Sequence, residues 1–360
     1  MTTLINLIGG QTVPNLIAQK YINPDNILLL YTKGSIKQKD CYKSVSPHIT
    51  FSECEIDPYN FDQIQKVISD FIDSNSSDNI ILNFTGGTKI MSLASFEVFK
   101  KLNYPSIYVD SENGNIYNYY HNKCLTDKID VKISTEEYLK LNNHIYKIDP
   151  PKNIEQSRVE YYEYLENNFT PNLLKFLSLI NSTYKSNNKK SFSNNTIIQD
   201  GPFFYSWSQE SSSSKIIIDN KEFIISGKDS MYYITGLWFE DLVYNKKFLN
   251  NNLYDEINRN IHIKDKAGKK DMIEIDIVAL HKNNLHLFEL KSGRVAREHL
   301  NNLRTIKEQL GTYTKLFIIS FFELDDPNVL NDRMRDLNIQ FFKYSDFSLD
   351  KCFGKININL

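Results

Sequence analysis

Short apolar runs alternate with stretches of helical spacing through the first third of the chain. Thr3 to Ile8 reads as a buried strand, and Thr12 to Tyr21 as a helix opened by Thr12 and Pro14. Asn26 to Tyr31 is a second strand. Phe61, Ile64, Val67, Ile68 and Phe71 recur at the spacing of one helix face. Ile80 to Phe84 forms a third strand, Lys89 to Leu102 a helix, and Ser106 to Val109 and Ile116 to Tyr120 further strands. Strand–helix alternation of this kind predicts an α/β unit with a parallel, Rossmann-like sheet.

The pattern weakens between about 135 and 215, after which it resumes. Tyr161 to Phe169 and Leu173 to Tyr184 have helical spacing, whereas Lys185 to Asn195 is polar and Ser211 to Ser214 is a serine run. This stretch predicts a connector of helices and loops. Ile216 to Ile225 then reads as two short strands around the Asp219-Asn220 turn, and Thr235 to Phe248 as a helix. Ile273 to Leu280 and Leu285 to Lys291 form a hairpin about a polar turn, followed by a helix from Arg297 to Leu310. Lys315 to Phe321 and Ile339 to Phe342 close the chain with strands. The expected organisation is 1–140, 141–215 and 216–360, with a second α/β domain in the last block.

Composition narrows the class. The chain has 360 residues, a formal net charge of −2 and 41% apolar residues, so any polyanion site is a local patch on a nearly neutral body. Cys41, Cys54, Cys124 and Cys352 are scattered with no CxxC pair, which argues against a zinc site or a disulfide framework and for a reducing, cytoplasmic setting. No apolar run is long enough to span a bilayer, and the N-terminus lacks the features of a secretory signal.

The strongest local chemistry lies in the hairpin. Residues two apart on a strand share a face, so Glu274 pairs with Asp276 and Glu289 with Lys291. Pairing of the two strands would bring three acids and a lysine to one place. Crowded carboxylates repel, and a divalent cation such as Mg²⁺ or Mn²⁺ relieves the conflict. Upstream, Phe239, Leu242 and Val243 form an apolar stripe, and Glu240 beside it is a fourth acid, with Asp241 the alternative. The order is a helix acid, Asp on a strand, ExK on the next strand, then a helix carrying Arg297, Arg304 and Lys307. In that order the segment 216–345 resembles the PD-(D/E)xK restriction-endonuclease-like superfamily. The resemblance implies Glu240, Asp276 and Glu289 as metal ligands and Lys291 as the catalytic lysine. Ile275 stands where the family often has a proline.

Two loops mark the first domain. Gly9-Gly10-Gln11-Thr12-Val13-Pro14-Asn15 follows the first strand, and Asn83-Phe84-Thr85-Gly86-Gly87-Thr88-Lys89 follows a later one. Both open helices at the carboxyl ends of strands, where open parallel sheets bind ligands. Neither fits GxGxxG or GxxxxGK[ST], so NAD or ATP is not indicated. The strand–Thr-Gly-Gly-Thr-Lys–helix element and the Gln11–Asn15 run resemble the CRISPR-associated Rossmann fold (CARF) sensor domain. Joined to a PD-(D/E)xK domain, the chain is similar to the cyclic-oligoadenylate-activated nucleases of type III CRISPR systems. The resemblance implies a homodimer with one symmetric pocket for a cyclic oligoadenylate, most often the tetra-adenylate. Its contacts would come from Gly10, Gln11, Thr12, Thr32, Lys33, Thr85, Gly86, Gly87, Thr88 and Lys89. It also implies cleavage of single-stranded RNA or DNA, or nicking of duplex DNA. Two rivals stand beside this reading: a ring nuclease acting in the sensor pocket, and a non-catalytic nucleic-acid-binding effector. The sensor loops carry no histidine for the first.

Overall fold

The computed structural model describes residues 1–75, 79–150, 153–186, 196–264, 268–269, 271–311, 314–324 and 327–353. Most of the polar stretch 185–195 lies outside them. Chain contacts divide the molecule into two interleaved compact units. The first gathers 1–148, 254–287 and 304–315, and the second 149–253, 288–303 and 316–360.

The N-terminal part of the first unit is a seven-stranded sheet. Its strands are β1 (Thr2–Leu7), β2 (Asn26–Tyr31), β3 (Thr50–Glu55), β4 (Asn79–Asn83), β5 (Ser106–Asp110), β6 (Asn115–Tyr120) and β7 (Lys123–Lys128). The order is β3-β2-β1-β4-β5-β6-β7. The first five pair in parallel, and β6 and β7 add an antiparallel edge. The helices are α1 (Val13–Ile22), α2 (Ile36–Ser44), α3 (Phe61–Ser74), α4 (Lys89–Leu102) and α5 (Thr135–Leu141). Ile5, Leu7, Leu28 and Leu30 pack with Ile64, Ile68 and Ile72 of α3 and Met91, Ala94 and Val98 of α4 in one core. That core explains the near-continuous apolar runs of the central strands, as a parallel sheet is covered on its faces.

Inside this apolar setting runs a buried polar relay. The Thr85 hydroxyl donates to Asn83 Oδ1 at 2.6 Å. Asn83 Nδ2 donates to Asn6 Oδ1 at 2.9 Å, and Asn6 Nδ2 to the Tyr42 hydroxyl at 2.9 Å. Tyr42 donates to Gln19 Oε1 at 2.6 Å. Asn6 and Asn83 are fully buried, so each member depends on its neighbours for hydrogen bonding. Burial pushes the Tyr42 hydroxyl well above its ordinary pKa, which keeps it neutral.

The remaining elements begin with β8 (Tyr146–Ile148), α6 (Gln156–Asn168) and α7 (Pro171–Ser186). A four-stranded antiparallel sheet follows: β9 (Ile197–Asp200), β10 (Phe203–Ser208), β11 (Ser213–Ile218) and β12 (Lys221–Ser226). The sequence pattern predicted only the last two as strands, and as a shorter pair. The serine run hides the start of β11: Ser214 is buried, with its hydroxyl 3.0 Å from that of Tyr205 and 2.8 Å from that of Ser230. Asp219 and Asn220 both have positive φ, the backbone a two-residue hairpin turn demands.

The expected helix 235–248 is not uniform. It comprises α8 (Ser230–Tyr232), a π-helical turn (Tyr233–Leu237), α9 (Trp238–Val243) and a second π turn (Tyr244–Phe248). The last elements are β13 (Glu256–Lys264), β14 (Asp271–His281), β15 (Asn284–Lys291), α10 (Arg297–Leu310), β16 (Lys315–Ser320), α11 (Pro327–Leu337) and β17 (Ile339–Lys343). They form a sheet of order β17-β16-β15-β14-β13-β8. Lys282 and Asn283, both at positive φ, make the tight β14–β15 turn. Among the described residues no helix is long and apolar enough to cross a membrane.

One backbone approach fixes the sensor loops. A Cβ at Gly86 would lie 2.0 Å from the Leu7 carbonyl oxygen, and one at Gly9 would lie 2.8 Å from the Gly87 nitrogen. A Cβ at Gly10 meets nothing within 4 Å. Thermal melting should therefore place Gly86→Ala well below the parent protein and Gly10→Ala beside it. Asn6→Ala, which strips partners from Asn83 and Tyr42, should lose about 1–3 kcal/mol in urea unfolding. A parent-like Asn6→Ala midpoint would remove the relay's structural role.

Candidate functional site

In the first unit the expected ligand residues gather at the carboxyl ends of β1, β2 and β4. The sheet order makes these three strands neighbours. Gly10, Lys33 and Lys89 are exposed, and Gln11, Thr32, Thr85, Gly86, Gly87 and Thr88 are half-buried. Thr12 is buried at 3% exposure, and its carbonyl accepts from the Leu16 amide at the first turn of α1.

Several hydroxyls assigned to ligand already serve the scaffold. Thr85 Oγ1 accepts the Val109 amide at 2.7 Å while donating to Asn83. Thr88 caps α4 by accepting the Met91 amide and donates to the Pro58 carbonyl at 2.9 Å. Thr32 Oγ1 lies 3.2 Å from Ser35 Oγ. These threonines shape the loops. Asn15, inside the Gln11–Asn15 run but not among the expected contacts, is the residue sequence reasoning missed. It is fully buried, and its Nδ2 donates to the Leu7 carbonyl at 3.1 Å. Its Oδ1 has no hydrogen-bond partner among the described residues and borders Gly86. Lys33 also borders a cleft of about 1200 Å³ that Lys37, Lys140 and Lys264 line.

In the second unit the ExK pair is intact. Lys291 Nζ lies 2.6 Å from Glu289 Oε1, with the glutamate side chain 13% exposed. Both residues sit two apart on β15, and the strand continues its ladder with the Phe321 amide donating to the Lys291 carbonyl at 2.9 Å. Beneath them Phe288 stacks on Phe317 with ring centroids 4.7 Å apart. Lys291 and Glu240 line one cavity of about 250 Å³, together with Tyr232, Gly236, Gly293 and Arg294. The neighbouring acid takes another role: Asp241 is buried and hydrogen-bonds the Tyr233 hydroxyl. Glu240 is thus the cavity-facing acid of the two.

The π turn is what aims Glu240. Arg158 clamps its approach by donating from two nitrogens to Asp229 at 2.9 and 2.8 Å, and it lies 4.4 Å over the Tyr233 ring. The buried Tyr161 hydroxyl donates to the Ile234 carbonyl at 3.0 Å, within the widened turn. Trp238, Phe239, Leu242 and Val243 are fully buried on the opposite side, so Trp238 is a packing residue.

His299 lies on α10, and no sequence motif marks it. Its Nδ1 accepts the Ala296 amide at 3.0 Å. Burial first, then the charge of Lys291, lower its pKa below the ordinary histidine range, which favours the neutral ring beside the Glu289–Lys291 pair.

Asp276 belongs to the first unit. It lies on β14, 9% exposed, between Ile275 and Ile277, both essentially buried. Glu274, two residues earlier, is exposed and sits opposite His262 in the β13 ladder, so its strand position does not bury it as it does Asp276. Among the described residues no three His, Cys, Asp or Glu side chains come together closely enough to hold a metal ion. Glu240, Asp276 and Glu289 each offer hard carboxylate oxygen, the donor type that Mg²⁺ and Mn²⁺ prefer. Mg²⁺ sites commonly use one or two carboxylates plus water and substrate phosphate.

Comparison with known proteins follows this division of labour. Residues 3–138 match the family model of the Card1 CARF domain, and residues 227–348 that of the Card1-like endonuclease domain. Among solved structures, Can2 from Sulfobacillus thermosulfidooxidans in complex with cyclic tetra-adenylate aligns at 21% identity and TM-score 0.73, over 95% of each chain. Protein VC1899 from Vibrio cholerae aligns at 15% identity and TM-score 0.75, over 95% of this chain and 94% of that one. A type III CRISPR defence DNA nuclease activated by cyclic oligoadenylate aligns at 13% identity and TM-score 0.55, over 93% of this chain but 51% of its own. Among curated proteins none matches the chain by sequence. At these identities the structures speak to fold, and the two family models speak to membership: the chain joins a Card1 CARF domain to a Card1-like endonuclease domain and belongs with the CARF-domain endonucleases.

Proposed function

We propose that the protein is a divalent-metal-dependent endonuclease of type III CRISPR defence, switched on by a cyclic oligoadenylate and acting on single-stranded RNA or DNA. The observation that carries this reading is the Glu289–Lys291 pair at 2.6 Å beside the cavity lined by Glu240, in a chain whose other domain is a CARF sensor. The cyclic tetra-adenylate in the Can2 complex and the cyclic-oligoadenylate activation of the type III DNA nuclease favour the same class of activator here, with the tetra-adenylate first.

Glu240, Asp276 and Glu289 would hold Mg²⁺ or Mn²⁺. When bound, that ion supplies a polarised phosphodiester and a more acidic water. Lys291 offers an ammonium to the charge that builds on the phosphate, and Glu289 keeps that ammonium oriented until substrate arrives. Arg294, on the rim of the same cavity, offers a second cation to the phosphate backbone.

On the sensor side, ring phosphates would meet Lys33 and Lys89 and the backbone of Gly10, Gly86 and Gly87. The buried Asn15 Oδ1, without a hydrogen-bond partner among the described residues, supports a donor-bearing ligand at this place. Gln11 and the loops of Thr12, Thr32, Thr85 and Thr88 complete the contact surface. A ring with two-fold symmetry suits a pocket built from two copies of the chain, so the active species is a homodimer. Activation requires the ligand to favour the cleaving arrangement over the resting one.

A labelled single strand incubated with Mn²⁺ tests this directly. Cyclic tetra-adenylate should raise cleavage by roughly 5–150-fold, and equal rates with and without it would sink activation. Chelating the metal should abolish cleavage. Glu289→Gln should lower kcat by about 100-fold or more while strand binding persists, and an unimpaired variant would overturn the assignment. Gly10→Ala should weaken activator binding without moving the melting temperature.

A further inference from the structure

The cavity beside Lys291 carries more than phosphate chemistry. Tyr232 is 46% exposed, although Tyr233, Trp238 and Phe239 on the following turns are buried. An aromatic ring left at the mouth of a cavity that also presents Glu240 and Lys291 calls for a partner. Tyr184 braces it edge to face, with ring centroids 5.6 Å apart and an 82° interplanar angle. Such a contact occupies at most one face of Tyr232, and nearly half of the residue is exposed. Gly236 lines the same cavity, and a Cβ there would meet nothing within 4 Å. Leu237, 37% exposed, adds an apolar wall, and Asn181 adds an amide with both donor and acceptor. The volume of about 250 Å³ suits one planar ring system rather than a length of chain.

We infer that this cavity is a nucleobase subsite, in which Tyr232, braced by Tyr184, stacks one base of the substrate strand over Gly236. The inference rests on the nuclease reading and deepens it. A base inside a duplex already has both faces stacked, so only an unpaired or everted base enters the subsite. Stacking on a tyrosine tolerates any base, because each has a π face, and Asn181 supplies what preference there is between base edges. The π turn explains how the site arises. Its wider i→i+5 bonding keeps Tyr232, Thr235, Gly236 and Glu240 on the cavity side while the aromatic neighbours stay inward.

The test uses the full chain with cyclic tetra-adenylate and DNA strands carrying 2-aminopurine at successive positions, with Ca²⁺ replacing Mn²⁺ to slow turnover. One position should lose fluorescence on binding to the parent protein. That quench should persist in Tyr232→Phe and vanish in Tyr232→Ala and in Gly236→Leu, which fills the cavity from a position with room for a side chain. In cleavage assays with Mn²⁺, Tyr232→Ala should raise KM roughly 5–150-fold with kcat unchanged. An abasic residue at the quenched position should erase the difference between parent and Tyr232→Ala. The subsite is overturned if no position is quenched, or if Tyr232→Ala is impaired equally on intact and abasic strands. It is also overturned if Tyr232→Ala shifts the half-activating concentration of cyclic tetra-adenylate and leaves the strand's KM alone. If the parent protein cleaves nothing, the nuclease reading fails, and the fluorescence titration still decides the subsite.

Discussion

The Leu7 carbonyl is the point about which the ligand-facing edge of the first unit is built. It accepts the Asn15 amide at 3.1 Å, and the backbone of Gly86 approaches so closely that a Cβ there would lie 2.0 Å away. Directly beneath, the relay from Thr85 through Asn83, Asn6 and Tyr42 ties β4 to β1 and to α2. A buried polar chain of this kind is stable only when every member is paired, so it holds the two loops in one arrangement. The consequence reaches ligand recognition. Thr85 and Thr88 have hydroxyls engaged in the scaffold, so the proposed ligand contacts rest on backbone amides and the exposed Lys33 and Lys89. Backbone amides at helix openings favour anions, and a cyclic oligoadenylate is a ring of them.

The second unit solves a different problem. A helix with buried Trp238, Phe239, Leu242 and Val243 has an inward stripe broad enough to pull Asp241 with it. Asp241 is accommodated by the Tyr233 hydroxyl, and Glu240 is left facing the cavity. The flanking π turns widen the helix on both sides of this six-residue segment, and Tyr161 satisfies the Ile234 carbonyl within the first of them. Arg158, paired with Asp229 and stacked on Tyr233, fixes where the segment begins. Structural polar contacts thus spend themselves on orientation, and the groups left over are those with chemistry to offer.

Much of this was legible in the amino-acid pattern. The parallel sheet announced itself because its central strands are apolar almost throughout, the hairpin turn at Asp219-Asn220 because Asp and Asn enter positive φ more readily than most residues, and the β14–β15 turn because its residues are polar between two apolar runs. The ExK pair followed from strand alternation. What stayed hidden depended on tertiary packing. Ser214 lies in a run that reads as loop by composition, yet two buried hydroxyl contacts make it strand. A π turn has no composition of its own, so the 235–248 segment read as a plain helix and Tyr232, just before it, was passed over. β3 carries a burial pattern too exposed for a periodicity signal, and its partnership with β2 alone defines it. Asn15 was hidden for the opposite reason: a buried asparagine with one idle oxygen is visible only once its neighbours are known.

The Glu289–Lys291 pair carries the last step of the argument. At 2.6 Å and with both side chains mostly shielded, the two charges answer each other in the absence of substrate. A buried pair of this kind is weak evidence for stability, since desolvation offsets much of the attraction. Its value lies in orientation: the Glu289 carboxylate holds the Lys291 ammonium in place on the strand whose end lines the cavity with Glu240. In the proposed reaction, a phosphate entering the cavity would compete with Glu289 for the same ammonium. The resting pair is therefore a charge already poised for exchange, and substrate binding needs only to redistribute it.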